Sequence, residues 1–571
     1  MSTTVASSER SWNVSPAQVR ASFWILLAST LLITKIGAYC WNHAIQIPLV
    51  NWLNDRSLYP HDPYMEVLAR YPFGLWRLVA LLARVFPLEG TLRSLFVLER
   101  MFALYAAGRL AAALAPGRRL AVVAAVALFA FPLDSMMGHG TMVASSFEHT
   151  ALALACFLMA AAAFEQQRSG AWAVWLGAGF ELTPMYGVFA LSYFGAVFVL
   201  EADYRSAWKR WLGPCALFLA LSSYALYQGV AIARGPSSID LRWFQSALAR
   251  GSLHLFPLTW GLAPFARFGG FLAVFLAVIF LGRRETPRLF RQGIVWSVLA
   301  ILWLVVAFAA AYVLRSPPLM MMQTARATDL LLCLAGVTMI AISAARLERA
   351  PGSEVRPAWM VAFGAAFCIW NVPGTWIVAV AVAIVSAPPV WRRVSPWLSP
   401  RRLALLLVVW VALIGLRNTA VRWNESRETW DLLFRGPAVP TRELAAWAEA
   451  HTPVDAVFLL NTSAEFDFDQ FRALAKRSIF TSTEEGAPLY WAPEYVPEWL
   501  ARLDAIGVTV EYRDHESLDN DFEEAFRDLD DDHVARIKER YRLNYWVVPR
   551  DHPSRFPAAW TGNEWKVLEV R

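Results

Sequence analysis

Asn51-Trp52-Leu53-Asn54-Asp55-Arg56-Ser57-Leu58-Tyr59-Pro60-His61-Asp62-Pro63-Tyr64 follows the first long apolar run of the chain. Carboxylates and aromatic side chains therefore lie together just past the end of a hydrophobic segment, and the setting of that segment decides what they can do. Hydrophobic residues make up 57% of the 571 residues and charged residues 17%, with charge excluded from long stretches. This is the composition of a polytopic α-helical membrane protein. A helix crossing the hydrocarbon core needs roughly twenty apolar residues. Such runs, several of them short, recur at 22–44, 93–114, 120–133, 147–164, 171–184, 186–200, 212–233, 267–282, 294–314, 329–345, 357–371, 374–391 and 403–418. They predict about thirteen transmembrane helices within a membrane domain over residues 1–420. No small-residue cleavage site follows the first run, which is expected to stay as an anchor.

Short cytoplasmic loops carry an excess of Lys and Arg. With the N-terminus inside, every second loop is cytoplasmic. Those loops hold Arg118 and Arg119, Arg168, the Arg205 to Arg210 cluster, the Arg283 to Arg291 cluster, Arg346 with Arg349 and Arg356, and Arg392 to Arg402. An odd number of spans then puts residues 421–571 outside. From Arg417 onward there are 19 basic and 29 acidic residues, a balance of −10 that leaves +16 for the membrane region out of a total of +6. The basic excess thus reports orientation in a lipid bilayer, with no nucleic-acid partner implied. The five cysteines, Cys40, Cys156, Cys215, Cys333 and Cys368, all sit in or beside apolar runs. Neither a disulfide framework nor a zinc site is expected.

Four outward loops are long or polar: 46–92, 134–146, 234–266 and 315–328. In the first, Tyr71 to Arg84 places apolar residues at helical spacing and reads as an interfacial helix. It would roof a cavity with Asp55 and Asp62 at its mouth. A carboxylate there acts as a general base or holds a divalent cation such as magnesium or manganese. Spacing alone favours turn roles, Asp55 pairing with Arg56 or capping a turn and Asp62-Pro63 opening one. The second loop holds Asp134 and His139, and Glu148 and His149 stand at the boundary of the next span, where ionisable groups are costly unless they face water, a partner or a ligand. Lys35 in the first run and Glu181 read as a structural pair. Arg242, Arg250, Arg315 and Gln323-Thr324-Ala325-Arg326 put cations outside, against the orientation bias. Binding a phosphate with a guanidinium fork explains them, with headgroup contact as the plainer alternative.

The C-terminal region reads as an α/β domain of about 130 residues. Thr441 is expected to cap a helix with Leu444, Trp447 and Ala448 on one face, leading to a buried strand at Ala456 to Leu460. Further strands are expected at 478–481, 508–512, 545–548 and 565–570, and helices at 496–505 and 522–541. The acidic run Asp519 to Asp532 reads as a solvated helical face. A Gly-rich nucleotide loop is missing from the region, which weakens any reaction drawing on soluble nucleotide sugars.

An inside N-terminus, eleven to thirteen spans, an acidic first outer loop and a soluble outer C-terminal domain together resemble the GT-C superfamily of membrane glycosyltransferases. Asn54-Asp55, followed four residues on by Tyr59, is similar to the first-loop motif of its oligosaccharyltransferase and mannosyltransferase branches. The resemblance implies transfer of a sugar from a polyprenyl-phosphate donor to an envelope acceptor, whether lipid, glycan or protein. It also implies Asp55 or Asp62 as the base and Glu148 with His149 as the second group. Arg326 and Arg315 become the lipid-phosphate clamp, with Gln323, Tyr59 and His61 beside the substrate. Paired acids are usual in several branches, whereas here Asp55 and Asp62 are seven residues apart, so the metal stays open. The rival readings are a transporter or flippase and a non-catalytic scaffold. Transporters place binding groups near the bilayer midplane, while the ionisable groups here gather at one face.

Overall fold

A computed structural model describes residues 14–570 apart from 41, 139, 144, 234–240, 350–355, 370–383, 385–386, 395–396, 427–432, 463–467 and 511–513. His139 and most of the run 374–391 lie outside the described residues. The first helix, Pro16–Thr34, opens on a capping box in which Ser15 Oγ accepts from the Gln18 N–H and Gln18 Oε1 accepts from the Ser15 N–H. It stops at Lys35, whose φ of 62° leaves the helical region. The run 22–44 is therefore not one span, and Lys35 marks a helix end. After the short strand Ile36–Gly37 the chain turns into a separate helix, His43–Asn54. Glu181 accepts from the Ala225 N–H at 3.1 Å, and the run 212–233 divides there into Lys209–Leu221 and Ser223–Ala233.

Five helices among the described residues are long and apolar enough to cross a membrane: Pro16–Thr34, Leu262–Gly282, Pro287–Val313, Pro317–Arg349 and Pro400–Asn424. The fourth is 94% buried, while the others are buried over about a third of their length. A helix apolar all round has no face for water and belongs at the centre of a bundle. Accordingly its segment Ala327–Arg349 packs against Leu88–Leu114, Arg119–Phe129, Pro287–Phe308 and Arg356–Ile369. The outer helices turn Leu281, Ile301, Leu302, Val305, Leu405, Leu413 and Leu416 outward. So much continuous apolar surface around a helical bundle is the surface of a membrane protein. One end of the bundle is tied by ion pairs, Arg288 to Glu165 at 3.1 Å, Arg291 to Glu201 at 2.7 Å, Arg118 to Glu348 at 3.7 Å and Arg346 to Glu285.

The C-terminal region forms a five-stranded sheet in the order Ser478–Ile479, Val457–Leu459, Tyr545–Pro549, Trp565–Glu569, Ala558–Thr561. The first three strands are parallel and the last two antiparallel to their neighbours. On one face Leu444, Ala448 and Phe471 pack on Phe458, Val547 and Val567. On the other, Trp499, Leu503, Phe522 and Ile537 pack on Val457, Leu459, Trp546 and Val548. Several sequence expectations are corrected here. Ala438 is the N-cap of the helix Val439–His451, and Thr441 is buried in its first turn. The helix expected over 522–541 is two, His515–Arg527 and Asp531–Arg540, because Asp514 and Asp530 accept from the Ser517 and His533 N–H groups as N-caps. Residues 508–510 form no strand, and the edge strand Ala558–Thr561 had no counterpart in the sequence reading.

Two junctions fix this region to the bundle. Ile36–Gly37 pairs in parallel with Phe434–Arg435, and Gly37 lies so close to the backbone of Ser145 that a Cβ would stand 2.3 Å from its carbonyl oxygen. Loop 46–92 shares one hydrophobic core with the sheet, Tyr59, Tyr64, Tyr71 and Trp76 joining Tyr495 and Trp499.

Candidate active site

The structure separates the two first-loop aspartates. Asp55 ends the helix His43–Asn54 and is exposed; its Oδ1 accepts from the Ser57 hydroxyl at 2.6 Å and the Ser57 N–H at 2.9 Å. Those two bonds hold its carboxyl below the usual carboxylate range. Asp62 is buried as the N-cap of Pro63–Leu68, where Oδ1 accepts from the Tyr64 N–H at 3.1 Å and Oδ2 from Arg472 Nε at 2.9 Å. Arg472 is itself buried and also bonds Glu485, which accepts from the Tyr495 hydroxyl at 3.0 Å. A guanidinium beside Asp62 and a hydroxyl on Asp55 do not make a cation site of the pair. Among the described residues no three His, Cys, Asp or Glu side chains gather at one metal-sized point.

The neighbours of Asp62 serve the same junction. Tyr59 takes a left-handed φ of 57°, is buried, and donates its hydroxyl to the Arg472 carbonyl at 3.0 Å. Burial raises its phenol well above the ordinary value. His61 is exposed with Nε2 2.7 Å from Arg542 Nη1. Arg315 is exposed, with its guanidinium 5.9 Å from the Phe244 ring centroid.

Glu148, His149 and Arg326 lie elsewhere, at the buried junction of the second long loop with the bundle. Glu148 occupies the N-cap position of His149–Glu165; its N–H donates to Glu99 Oε2 at 2.9 Å, and Gln46 Nε2 donates to its Oε2 at 3.4 Å. The other oxygen, Oε1, is buried with no hydrogen-bond partner among the described residues, as are His149 Nδ1 and Gln46 Oε1. His149 Nδ1 is 3.8 Å from Glu148 Oε2, and the ring lies 4.2 Å from that of Phe73 in the first loop. The interfacial segment of that loop is a helix, Leu75–Ala83, with Trp76, Val79 and Ala80 buried. Its Trp76 packs on Phe147 and His43.

Arg326 lies within electrostatic range of His149. Its Nη2 is 3.2 Å from His254 Nδ1, it lies within electrostatic range of the Tyr186 hydroxyl, and its Nε is buried without a hydrogen-bond partner among the described residues. Gly140, at φ 128°, lies beside the guanidinium, which would be in ordinary contact, at 3.5 Å, with a Cβ there. One turn on, buried Asp329 accepts from Ser135 Oγ at 2.9 Å, the Met136 N–H at 2.9 Å and the Tyr186 hydroxyl at 2.8 Å. Those bonds pin loop 134–146 beside the arginine. Gln323 precedes it at a φ of 47°, its Oε1 buried and unpartnered. The arrangement is a buried carboxylate beside an imidazole, with the Arg326 guanidinium within electrostatic range of that imidazole and of Asp329, and with polar atoms of all three of Glu148, His149 and Arg326 left without a hydrogen-bond partner among the described residues. Such atoms ask for a ligand or water.

Glu99, Gln46, His254, Tyr186 and Asp329 had not been singled out. Glu99 and Asp329 were visible as acids inside apolar runs, where burial of charge is expensive. The uncharged members gave no such signal.

A domain family of unknown function, DUF6798, matches residues 439–506. No protein in the curated set matches the sequence. Among solved structures the chain is similar to ArnT from Cupriavidus metallidurans in the apo state, with 12% identity, 97% of each chain covered and a TM-score of 0.43. The same protein bound to undecaprenyl phosphate aligns at 13% identity and a TM-score of 0.42, again over 97% of each chain. The archaeal oligosaccharyltransferase AglB from Archaeoglobus fulgidus, in complex with an inhibitory peptide and a dolichol-phosphate, aligns at 12% identity and a TM-score of 0.39. That alignment covers 93% of this chain and 69% of AglB.

Proposed function

We propose that this chain is a membrane glycosyltransferase of the GT-C type that moves a sugar from a polyprenyl-phosphate carrier to an envelope acceptor. In this reading about thirteen helices cross the cytoplasmic membrane, and loop 46–92 and residues 421–571 face outward. The observation that supports it best is buried Glu148 beside His149, itself within electrostatic range of Arg326, with Glu148 Oε1 and Arg326 Nε left without hydrogen-bond partners among the described residues.

The chemistry follows from charge placement. The bond between the anomeric carbon and the phosphate oxygen breaks with oxocarbenium character, and the departing phosphate gains charge beside Arg326. The acceptor hydroxyl forms the new bond to the anomeric carbon and passes its proton to Glu148. Gln46 and Glu99 fix the position of Glu148, and His254 that of Arg326. Asp62 is assigned to docking of the C-terminal region, and Asp55 to the surface.

The test is transfer of radiolabelled sugar from a polyprenyl-phosphate donor into envelope extract by the purified protein. Glu148→Gln should lower the rate by about 10²–10⁴, and Arg326→Met by about 10²–10³. No label transferred by the wild type, or full rates in both variants, would sink the reading. Movement of intact donor across vesicles without sugar release would favour the flippase instead.

A further inference from the structure

We infer that the C-terminal region carries a saccharide subsite of its own, a cleft between the start of the helix Val439–His451 and the hairpin of strands Ala558–Thr561 and Trp565–Glu569. Its use for a glycan acceptor rests on the sugar-transfer reading; its binding of a sugar ring does not. The cleft has a volume of about 130 Å³ and is lined by Pro440, Glu443, Trp560, Asn563, Glu564 and Trp565 together with Val439. That is room for one ring and not for a chain.

Both indoles are placed before any ligand arrives. Trp560 stacks on Trp447 at 5.9 Å and 25°, and Trp447 stacks in turn on His451 at 6.1 Å and 11°. From the hairpin turn Gly562 presses on the Trp560 ring so closely that a Cβ would stand 2.4 Å from its Cη2. Trp565 packs edge-on against Phe468 at 4.9 Å. Little side-chain freedom remains to be lost on binding.

The lining selects the ligand. Indole surface suits the C–H face of a pyranose, while the two carboxylates and the Asn563 amide supply acceptors and a donor pair for its hydroxyls. With Glu443 and Glu564 in the lining and no Lys or Arg among its described residues, phosphates and anionic headgroups are repelled. An ammonium head is best held by aromatic faces enclosing it; two indoles with an amide between them match a ring of hydroxyls better.

The experiment is ligand-observed saturation-transfer NMR on the full-length protein in detergent. The probes are the methyl glycosides of glucose, galactose, mannose and N-acetylglucosamine, with tetramethylammonium alongside. At least one glycoside should receive saturation at its ring C–H protons. Trp560→Ala should weaken its binding roughly tenfold and Glu564→Gln roughly threefold, each compared at an unchanged melting temperature. Silence from all four glycosides, saturation confined to tetramethylammonium, or a signal untouched by either substitution overturns the subsite. If Trp560→Ala fails to fold, the exposed Glu564→Gln and Asn563→Ala decide alone. Sugar binding without transfer from a polyprenyl-phosphate donor would retain the cleft and remove the transferase reading. Transfer without sugar binding would do the reverse.

Discussion

At the scale of single residues, position separates acids that look alike in sequence. Asp55 and Glu148 both follow or precede apolar runs, yet one is in solvent with both bonds satisfied by Ser57 and the other is buried with an oxygen unused. Asp55→Asn should therefore leave transfer within about twofold of wild type, since exposed substitutions of this kind change little, whereas Glu148→Gln should lower kcat with little change in KM. Parallel turnover curves for the two variants read this directly. A large kcat loss in Asp55→Asn would return the base to the first loop. Gly140 offers a steric counterpart: Gly140→Ala should raise KM for the phosphate-bearing donor, because φ of 128° is strained for alanine and the added methyl stands against Arg326.

At the scale of elements, the buried chain Asp62, Arg472, Glu485, Tyr495 connects loop 46–92 to the C-terminal region. Removing one member of a buried ion pair leaves an uncompensated charge, at about 3–5 kcal/mol. Arg472→Met should thus destabilise this junction by about that amount, read as a lower melting transition, while Asp62→Asn, which keeps an acceptor for Arg472, should cost less. A second contact is pH-sensitive. The His515 backbone N–H donates to Ser252 Oγ at 3.0 Å, and burial, followed by the charge of Arg250, holds its imidazole below the ordinary histidine value. A depressed histidine favours the fold when neutral, so its contribution is full above the unfolded pKa of about 6.5 and is lost as pH falls below it. The melting temperature should drop between about pH 7 and pH 5, and His515→Gln should flatten that slope. Sequence periodicity located most helices, because lipid-facing surface imposes long apolar runs whatever the packing. It misplaced the ends at Lys35 and Ser222, where a left-handed backbone and a side-chain cap interrupt runs that hydrophobicity alone continues. The candidate site was half legible for a related reason: Glu148, His149 and Arg326 stand out as charges at span boundaries or on the outer side, but Gln46 and Tyr186 are ordinary polar residues until the fold brings them near. Asp62 stood out too, and its partner Arg472, 410 residues away, could not be read from spacing.

At the scale of the whole molecule, the helices His149–Glu165 and Ala327–Arg349 carry the ion pairs of Glu165 and Glu348 at one end, and the other end has the orphaned atoms of Glu148, His149 and Arg326. If that second end faces outward, alkaline phosphatase fused after Arg571 should be active and a cytoplasmic reporter at the same place silent; the opposite pattern would invert the molecule. The first and last described membrane helices, Pro16–Thr34 and Pro400–Ser426, pack on each other, and Ile36–Gly37 pairs with Phe434–Arg435 just beyond them. Biosynthesis meets this seam as a delay. Chains grow at about 5–20 residues per second, so the opening helix leaves the ribosome on the order of half a minute before its partner exists. Throughout that interval its flank must be tended by lipid, by insertion machinery or by temporary neighbours, and this seam can close only once Pro400–Ser426 has been made.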